Sequence, residues 1–138
     1  MISSEPGVEC LLDTNIIIYL TKGDEDVGLF IDGMSGKVFG ISVMSYMEAL
    51  MGIGGPEDLI VLDAVTEHMI MVSFTESIAR KSANALRVRE KRSVRDPLFA
   101  DVVIANTAME LGIPLVTNNP KDFSKFTGLK ILTPKRRH

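Results

Sequence analysis

Short segments rich in Val, Ile and Leu alternate with longer helical patterns along the whole chain. The short segments predict five strands at residues 8–12, 37–41, 69–72, 115–117 and 130–132. The longer ones predict helices at residues 15–20, 24–31, 43–51, 56–67, 76–90, 98–111 and 120–125. Strands that alternate with helices in this way form a parallel sheet with helices on both faces. We therefore expect an α/β fold, a three-layer α/β/α sandwich around a mainly parallel five-stranded sheet.

Several residues mark the ends and the inward faces of these helices. Ser42 and Thr75 are good N-caps, and Gly112 fits a left-handed helix end. Pro56 and Pro120 suit the first turn of a helix. The expected inward faces are Leu59, Leu62 and Val65 or Thr66 in one helix, and Ile78, Ser82, Ala85 and Leu86 in another.

Length and composition indicate one soluble globular domain over residues 1–138. The net charge is −3 and 46% of the residues are hydrophobic, as in ordinary globular proteins. The apolar runs fall well short of the roughly 20 residues that a membrane span needs. The first residues lack the pattern of a secretory signal, and the lone Cys10 cannot form an internal disulfide. We expect a cytoplasmic protein with no membrane association.

Charge is unevenly divided between the two halves. Residues 1–69 contain 12 Asp or Glu and two Lys, whereas residues 70–138 contain 13 Lys or Arg and six Asp or Glu. A basic half is compatible with a bound polyanion such as RNA, but a solvated helix end explains the same charges and is slightly favoured on charge alone. The candidate RNA-binding residues are Arg87, Arg89, Lys91, Arg92 and Arg95.

Three carboxylates, Asp13, Glu48 and Asp101, stand alone in apolar segments. No Lys or Arg lies within four residues of any of them, and a buried carboxylate without a positive partner is costly. Asp13 ends the first strand, Glu48 follows the second, and Asp101 begins the helix before the fourth. Since ligands bind beyond the carboxyl ends of parallel strands, all three can face one edge of the sheet. We expect a divalent metal site there.

Each of these acids also has a structural interpretation. Asp13 could cap the helix that follows it, although the metal interpretation is favoured. Glu48 could complete a capping box with Ser45. The sequence favours this interpretation and metal binding about equally. Asp101 could interact with a helix dipole. Asp63 has apolar neighbours too, yet its helical position predicts a solvated face.

A polar segment follows the fourth strand. Asn119 before Pro120 favours an N-cap, and Asp122 suits the third helical position. Capping explains the segment, but its position at a carboxyl strand end makes Thr117, Asn119 and Asp122 candidates for the rim of the same site.

Four motifs in order resemble those of PIN domains, and within that family those of the VapC-type toxins of toxin–antitoxin pairs. They are residues 11–15 (LLDTN), 41–48 (ISVMSYME), 101–108 (DVVIANTA) and 115–123 (LVTNNPKDF). The resemblance covers nearly the whole chain. It implies a PIN-like fold and a metal-dependent endoribonuclease that hydrolyses RNA.

In that reading Asp13, Asp101 and Glu48 are catalytic and hold Mg²⁺ or Mn²⁺, with Asn15 and Ser45 as supporting polar groups. The resemblance also implies an antitoxin partner and a homodimer. One position departs from the family pattern, because Asn119 stands where many members have a fourth acid. The alternative is therefore a catalytically degenerate PIN module that binds RNA or protein without cleavage.

Overall fold

A computed structural model describes residues 7–88 and 98–136 of the chain. The strands are β1 (Cys10–Leu12), β2 (Phe39–Ser42), β3 (Ile70–Val72), β4 (Leu115–Val116) and β5 (Ile131–Leu132). The helices are α1 (Thr14–Thr21), α2 (Glu25–Asp32), α3 (Val43–Met51), α4 (Pro56–Thr66), α5 (Glu76–Arg87), α6 (Phe99–Leu111) and α7 (Pro120–Phe123). Within the described ranges, no helix is long and apolar enough to cross a membrane.

The five strands form one parallel sheet in the order β3-β2-β1-β4-β5. The predicted architecture is confirmed. The chain moves from β1 outward to β3 on one side and then returns to place β4 on the other side of β1. The strand order thus reverses beside β1, and such a reversal opens a crevice at the carboxyl edge of a parallel sheet.

Successive residues of β1 pack into two separate hydrophobic cores, because side chains alternate between the faces of a strand. Leu12 packs with Ile16 and Val27 under the helices of one face. Leu11 packs with Ile104 and Leu115 on the other face, below α6. The sheet is therefore covered on both sides, which gives the three layers.

The inward face predicted for α4 is only partly correct. Leu62 is 1% exposed, but Leu59 is 40% exposed. The core beneath α4 takes up Leu62, so the helix has a narrow contact with the protein and leaves Leu59, Ile60 and Val61 exposed. The inward face predicted for α5 is confirmed, since Ile78, Ser82 and Leu86 are buried.

Two glycines sit where a side chain would be strained. Gly112 ends α6 with a φ of 67°, the left-handed conformation that was predicted for it. Gly40 lies in β2, where an added Cβ would come within 2.7 Å of Val8 Cγ1 and 3.1 Å of Val72 Cγ2. The segments on both sides of β2 therefore pack closely around Gly40.

Arg136 ties the end of the described chain to the α1–α2 corner. Its guanidinium donates to both carboxylate oxygens of Asp24, at 2.8 and 3.0 Å, and lies 3.7 Å from Asp26. It also stacks 4.9 Å from the centre of the Tyr19 ring. We call this contact the Arg136 clasp.

Candidate active site

Four carboxylates meet in an open cleft of about 360 Å³ at the carboxyl edge of the sheet. We call it the acidic cleft. The described residues that line it include no Lys, Arg or His. They are Asp13, Thr14, Asn15, Ile18, Glu48, Asp101, Asn119 and Asp122.

Asp13 lies directly after β1 and serves as the N-cap of α1. Its Oδ1 accepts from the backbone N of Thr14 at 2.8 Å, and its Oδ2 accepts from the hydroxyl of Thr117 at 2.7 Å. The residue is only 5% exposed. Burial raises the pKa of Asp13 to about 6, helped by the nearby charges of Glu48 and Asp122 and opposed by the two hydrogen bonds. Asp13 thus caps a helix and faces the acidic cleft at once.

Thr117 lies beneath the cleft, where it organises the polar segment after β4. It is fully buried. Its hydroxyl donates to Asp13 and accepts from the backbone N of Asn119 at 3.0 Å. Asn15 closes the network, since its Oδ1 accepts from the backbone N of Asn118 at 3.2 Å. Thr117 was predicted at the rim, but it is buried behind Asp13 and is not among the described residues that line the cleft.

Glu48 reaches the cleft from the second turn of α3. Ser42 is the N-cap of this helix and accepts from the backbone N of Ser45 at 3.0 Å. Glu48 is thus beyond the capping turn, and its Oε1 instead accepts from the hydroxyl of Thr14. The capping-box interpretation of Glu48 is wrong, because the helix begins three residues earlier than that motif requires.

Asp101 occupies the first turn of α6 and is half-buried. Desolvation is the main cause that raises its pKa to about 6, and the charges of Asp13, Asp122 and Glu48 add to the rise. Lys125 opposes it from the segment after α7. The small residues Ala105 and Ala108 on the same helix are fully buried, so α6 lies close enough to the sheet to bring Asp101 to its edge.

The short helix α7 supplies a fourth charge. Asn119 and Asp122 both line the cleft, so the neutral side chain at position 119 is accompanied by a carboxylate three residues later. Asn119 is the N-cap of α7 and Pro120 its first residue, as predicted, but the Asn119 side chain makes no capping hydrogen bond. The backbone N–H of Asn119 donates to the Thr117 hydroxyl.

The model of the PIN domain matches residues 10–129 of the sequence. The chain belongs to the PIN-domain family. The match spans the first four strands, β1 to β4, and all four carboxylates of the cleft, so the family resemblance seen in the motifs is confirmed. No curated protein matches the chain in sequence.

Solved structures with the same fold include several members of the VapBC family of toxin–antitoxin systems. VapBC2 from Rickettsia felis, bound to a DNA fragment from its promoter, is 20% identical with a TM-score of 0.75, covering 91% of this chain and 98% of that one. DNA-bound VapBC from Salmonella typhimurium is 24% identical with a TM-score of 0.74, covering 91% and 98%. VapBC-1 from nontypeable Haemophilus influenzae is 26% identical with a TM-score of 0.69, covering 90% and 96%. This PIN domain therefore has the fold found in VapBC complexes.

Ser45 and Arg87 do not line the acidic cleft of the PIN domain. Ser45 is fully buried in α3, and no described residue bonds its hydroxyl. Arg87 is exposed at the end of α5, where it donates to Asn84 at 2.7 Å. The other predicted RNA-binding residues, Arg89, Lys91, Arg92 and Arg95, lie outside the described residues.

The donors of the PIN-domain cleft fit a hard cation that keeps part of its water shell. All of the charged donors are carboxylates, and the raised pKa values of Asp13 and Asp101 show negative charges crowded in a poorly solvated place. Among the described residues, no three Asp, Glu, His or Cys side chains are grouped tightly enough to enclose an ion. Mg²⁺ is commonly bound through one or two carboxylates plus waters, whereas structural zinc needs a closed set of four ligands.

Thr14 is the residue of this site that sequence reasoning missed. It adjoins Asp13 and occupies the first position of α1, which was the available signal. Its bond to Glu48 depends on how α1 and α3 pack, and that packing is not visible in either segment alone.

Proposed function

We propose that the protein is a cytoplasmic endoribonuclease that hydrolyses RNA phosphodiester bonds with Mg²⁺ or Mn²⁺. The observation that carries the proposal is the convergence of Asp13, Glu48, Asp101 and Asp122 on one cleft whose described lining has no cation. Membership of the PIN-domain family and the fold shared with VapBC structures support it. Four acids in one cleft repel the phosphates of RNA unless a cation intervenes, so the cleft suits a metal-assisted reaction.

The residues that would hold the ion are Asp13 and Asp101, with Glu48 and Asp122 bound directly or through water. A bound divalent cation supplies an activated water and polarises the scissile phosphate. The chain itself keeps the carboxylates in place. Thr117 and the Thr14 backbone N hold the two oxygens of Asp13, and the buried face of α6 holds Asp101 at the sheet edge.

RNA would approach across the open side of the cleft. The cleft is open to solvent, and the exposed Asn119 amide in its lining can donate a hydrogen bond. Arg87, Arg89, Lys91, Arg92 and Arg95 would follow the RNA backbone, since Lys and Arg neutralise phosphates.

The partner we propose is an antitoxin protein, and the active form a homodimer. The support is the series of VapBC toxin–antitoxin complexes with the same fold. In this reading the chain is the toxin of the pair. Its expression in a bacterial host should arrest growth, and co-expression of the antitoxin should restore it.

Replacing the central carboxylates tests the nuclease. Asp13→Asn and Asp101→Asn should each lower the rate of RNA cleavage about a hundredfold or more, because each removes a charge needed to hold the cation. The measurement is cleavage of a labelled RNA with Mg²⁺ or Mn²⁺ and with EDTA. Asp63→Asn is the matched control, since Asp63 is an exposed acid on α4. Equal cleavage by the wild type and both variants would disprove the proposal.

A titration with Mn²⁺ separates the nuclease from a degenerate PIN module. The specific observation behind that second candidate is the neutral Asn119 in the cleft. Binding of Mn²⁺ by the wild type, lost in Asp13→Asn, supports the nuclease. No binding and no cleavage would leave the inert module as the function.

A further inference from the structure

Thr14 contacts two of the four carboxylates in the acidic cleft. Its backbone N donates to Asp13 Oδ1 at 2.8 Å, and its hydroxyl donates to Glu48 Oε1. The second bond joins the first residue of α1 to the second turn of α3, 34 positions along the chain. One residue therefore couples the two acids that come from different helices.

The position of Thr14 in its helix leaves its hydroxyl free for this bond. Other helical threonines donate to a backbone carbonyl of the preceding turn: Thr21 to Ile18 at 2.7 Å, Thr66 to Leu62 at 2.9 Å and Thr107 to Val103 at 2.7 Å. This is the usual competition between a Thr side chain and the helix backbone. Thr14 is the first residue of α1, so no helical turn precedes it.

Glu48 depends on this bond for its orientation. Among the described residues, Thr14 is the only hydrogen-bond partner of the Glu48 carboxylate. Glu48 is half-buried, and a Glu side chain has several rotatable bonds whose freedom must be lost before it can hold a ligand. Because the Thr14 hydroxyl restrains Oε1 of Glu48, the other carboxylate oxygen is confined to a small range of directions.

We propose that Thr14 is a positioning residue that fixes the carboxylate of Glu48 at the acidic cleft. The inference rests on the proposed function, in which Glu48 helps to hold the cation directly or through water. Thr14 takes no part in the reaction itself and acts through Glu48.

Metal-free crystal structures of three proteins test the positioning directly. Thr14→Val keeps the branched shape and the backbone N–H but removes the hydroxyl, whereas Thr14→Ser keeps the hydroxyl. We expect the Glu48 carboxylate to leave its wild-type position in Thr14→Val and to keep it in Thr14→Ser. An unmoved Glu48 in Thr14→Val would overturn the proposal.

Calorimetry with Mn²⁺ alone tests the consequence for the cation. Thr14→Val should weaken binding about 3- to 10-fold, the effect of one ordinary hydrogen bond, and Thr14→Ser should restore it. Thr21→Val is the matched control on the same helix, because the Thr21 hydroxyl bonds a backbone carbonyl, and its affinity should equal that of the wild type. In a Glu48→Ala background, where the acceptor is gone, Thr14→Val should cause less than a further twofold loss, since interacting residues are not additive. A full additional loss in that background would contradict action through Glu48.

The two experiments separate this inference from the proposed function. If Glu48 moves in Thr14→Val but the wild type binds no Mn²⁺, the metal-dependent nuclease fails and the positioning of Glu48 by Thr14 stands. If Mn²⁺ binds and RNA is cleaved while Glu48 does not move in Thr14→Val, only the Thr14 inference fails.

Discussion

Asp13 combines a structural and a chemical task in one side chain. Asp13 is the N-cap of α1, and it accepts hydrogen bonds from the Thr14 backbone N and the Thr117 hydroxyl. Burial outweighs these bonds, which favour the charged carboxylate, and raises the pKa of Asp13 to about 6. The folded protein therefore keeps a proton on Asp13 at pH values where the unfolded chain has lost it. The cost of ionising this residue is a physical reason to propose a cation in the cleft.

Asp13→Asn should stabilise the metal-free protein at neutral pH. Between about pH 4, where an ordinary Asp ionises, and pH 6, the unfolded state binds fewer protons than the folded state. Asp13 consequently lowers the free energy of unfolding as the pH rises through this range, and its full cost is present above the folded-state pKa. Asparagine carries no charge, so we expect a gain on the order of 1–2 kcal/mol at pH 7 that disappears near pH 4. Urea unfolding at several pH values measures it.

The control for this effect is Asp63→Asn, which should change stability little at either pH because Asp63 is exposed. Saturating Mn²⁺ should reverse the order of the proteins, because a ligand that binds only the folded state stabilises it. A loss of stability in Asp13→Asn at pH 7 without metal would contradict the account of Asp13.

The candidate site could be predicted residue by residue only in part. Asp13, Glu48 and Asp101 were found because they follow strands or begin a helix at one edge of the sheet. Local apolarity was a poor guide, since Asp63 shares it and is exposed. Thr14 escaped prediction because its role depends on a side chain from α3. Thr117 was assigned to the rim because its burial beneath the cleft is a tertiary property.

At the scale of elements, β2 and α2 place glycine in opposite surroundings. Gly40 in β2 meets Val8 and Val72 so closely that an added Cβ would overlap them, whereas Gly28 in α2 has no atom within 4 Å of such a Cβ. We expect Gly40→Ala to destabilise the protein by about 1–3 kcal/mol through overpacking. Gly28→Ala should stabilise it by about 0.5–1 kcal/mol, since alanine favours a helix interior. Thermal unfolding of the two variants against the wild type compares them, and equal shifts would refute this view of the packing.

The elements themselves were largely predictable from the sequence. Helix α3 has its predicted bounds, and α6 differs by one residue at its start. The strands are shorter than predicted; β1, for example, begins at Cys10 although the apolar segment starts at Val8. Apolar composition shows where a strand can form, but pairing with neighbours decides where it ends. The inward position of Leu59 was predicted wrongly because periodicity gives a helix face without saying how much of it the protein covers.

At the scale of the whole molecule, the Arg136 clasp joins distant parts of the chain. The clasp consists of the hydrogen bonds to Asp24 and the stacking on Tyr19. The pKa of Asp24 lies below its ordinary value mainly because the Val27 backbone N–H donates to it, and the Arg136 guanidinium lowers it further. We expect Arg136→Ala to lower the melting temperature, and the loss to shrink at high salt, because exposed charges are screened. Arg136→Lys should rescue it only partly, since Lys lacks the planar guanidinium that stacks on Tyr19.

Arg80→Ala is the control for the clasp. Arg80 and Glu76 form an exposed pair within α5, and such pairs contribute little to stability. A melting temperature unchanged by Arg136→Ala, or lowered equally by Arg80→Ala, would show that the clasp does not fasten the two segments.

The central position of β1 has a consequence for how the four acids respond to a ligand. β1 pairs with β2 on one side and β4 on the other, so we expect its amides to exchange only through global unfolding. Asp13 follows this strand directly, while Asp122 sits on the four-residue helix α7 near the β5 edge. Hydrogen exchange should thus be slow in β1 and faster around α7. We therefore expect the Asp13 side of the cleft to stay in place and the Asp122 side to adjust when a ligand binds.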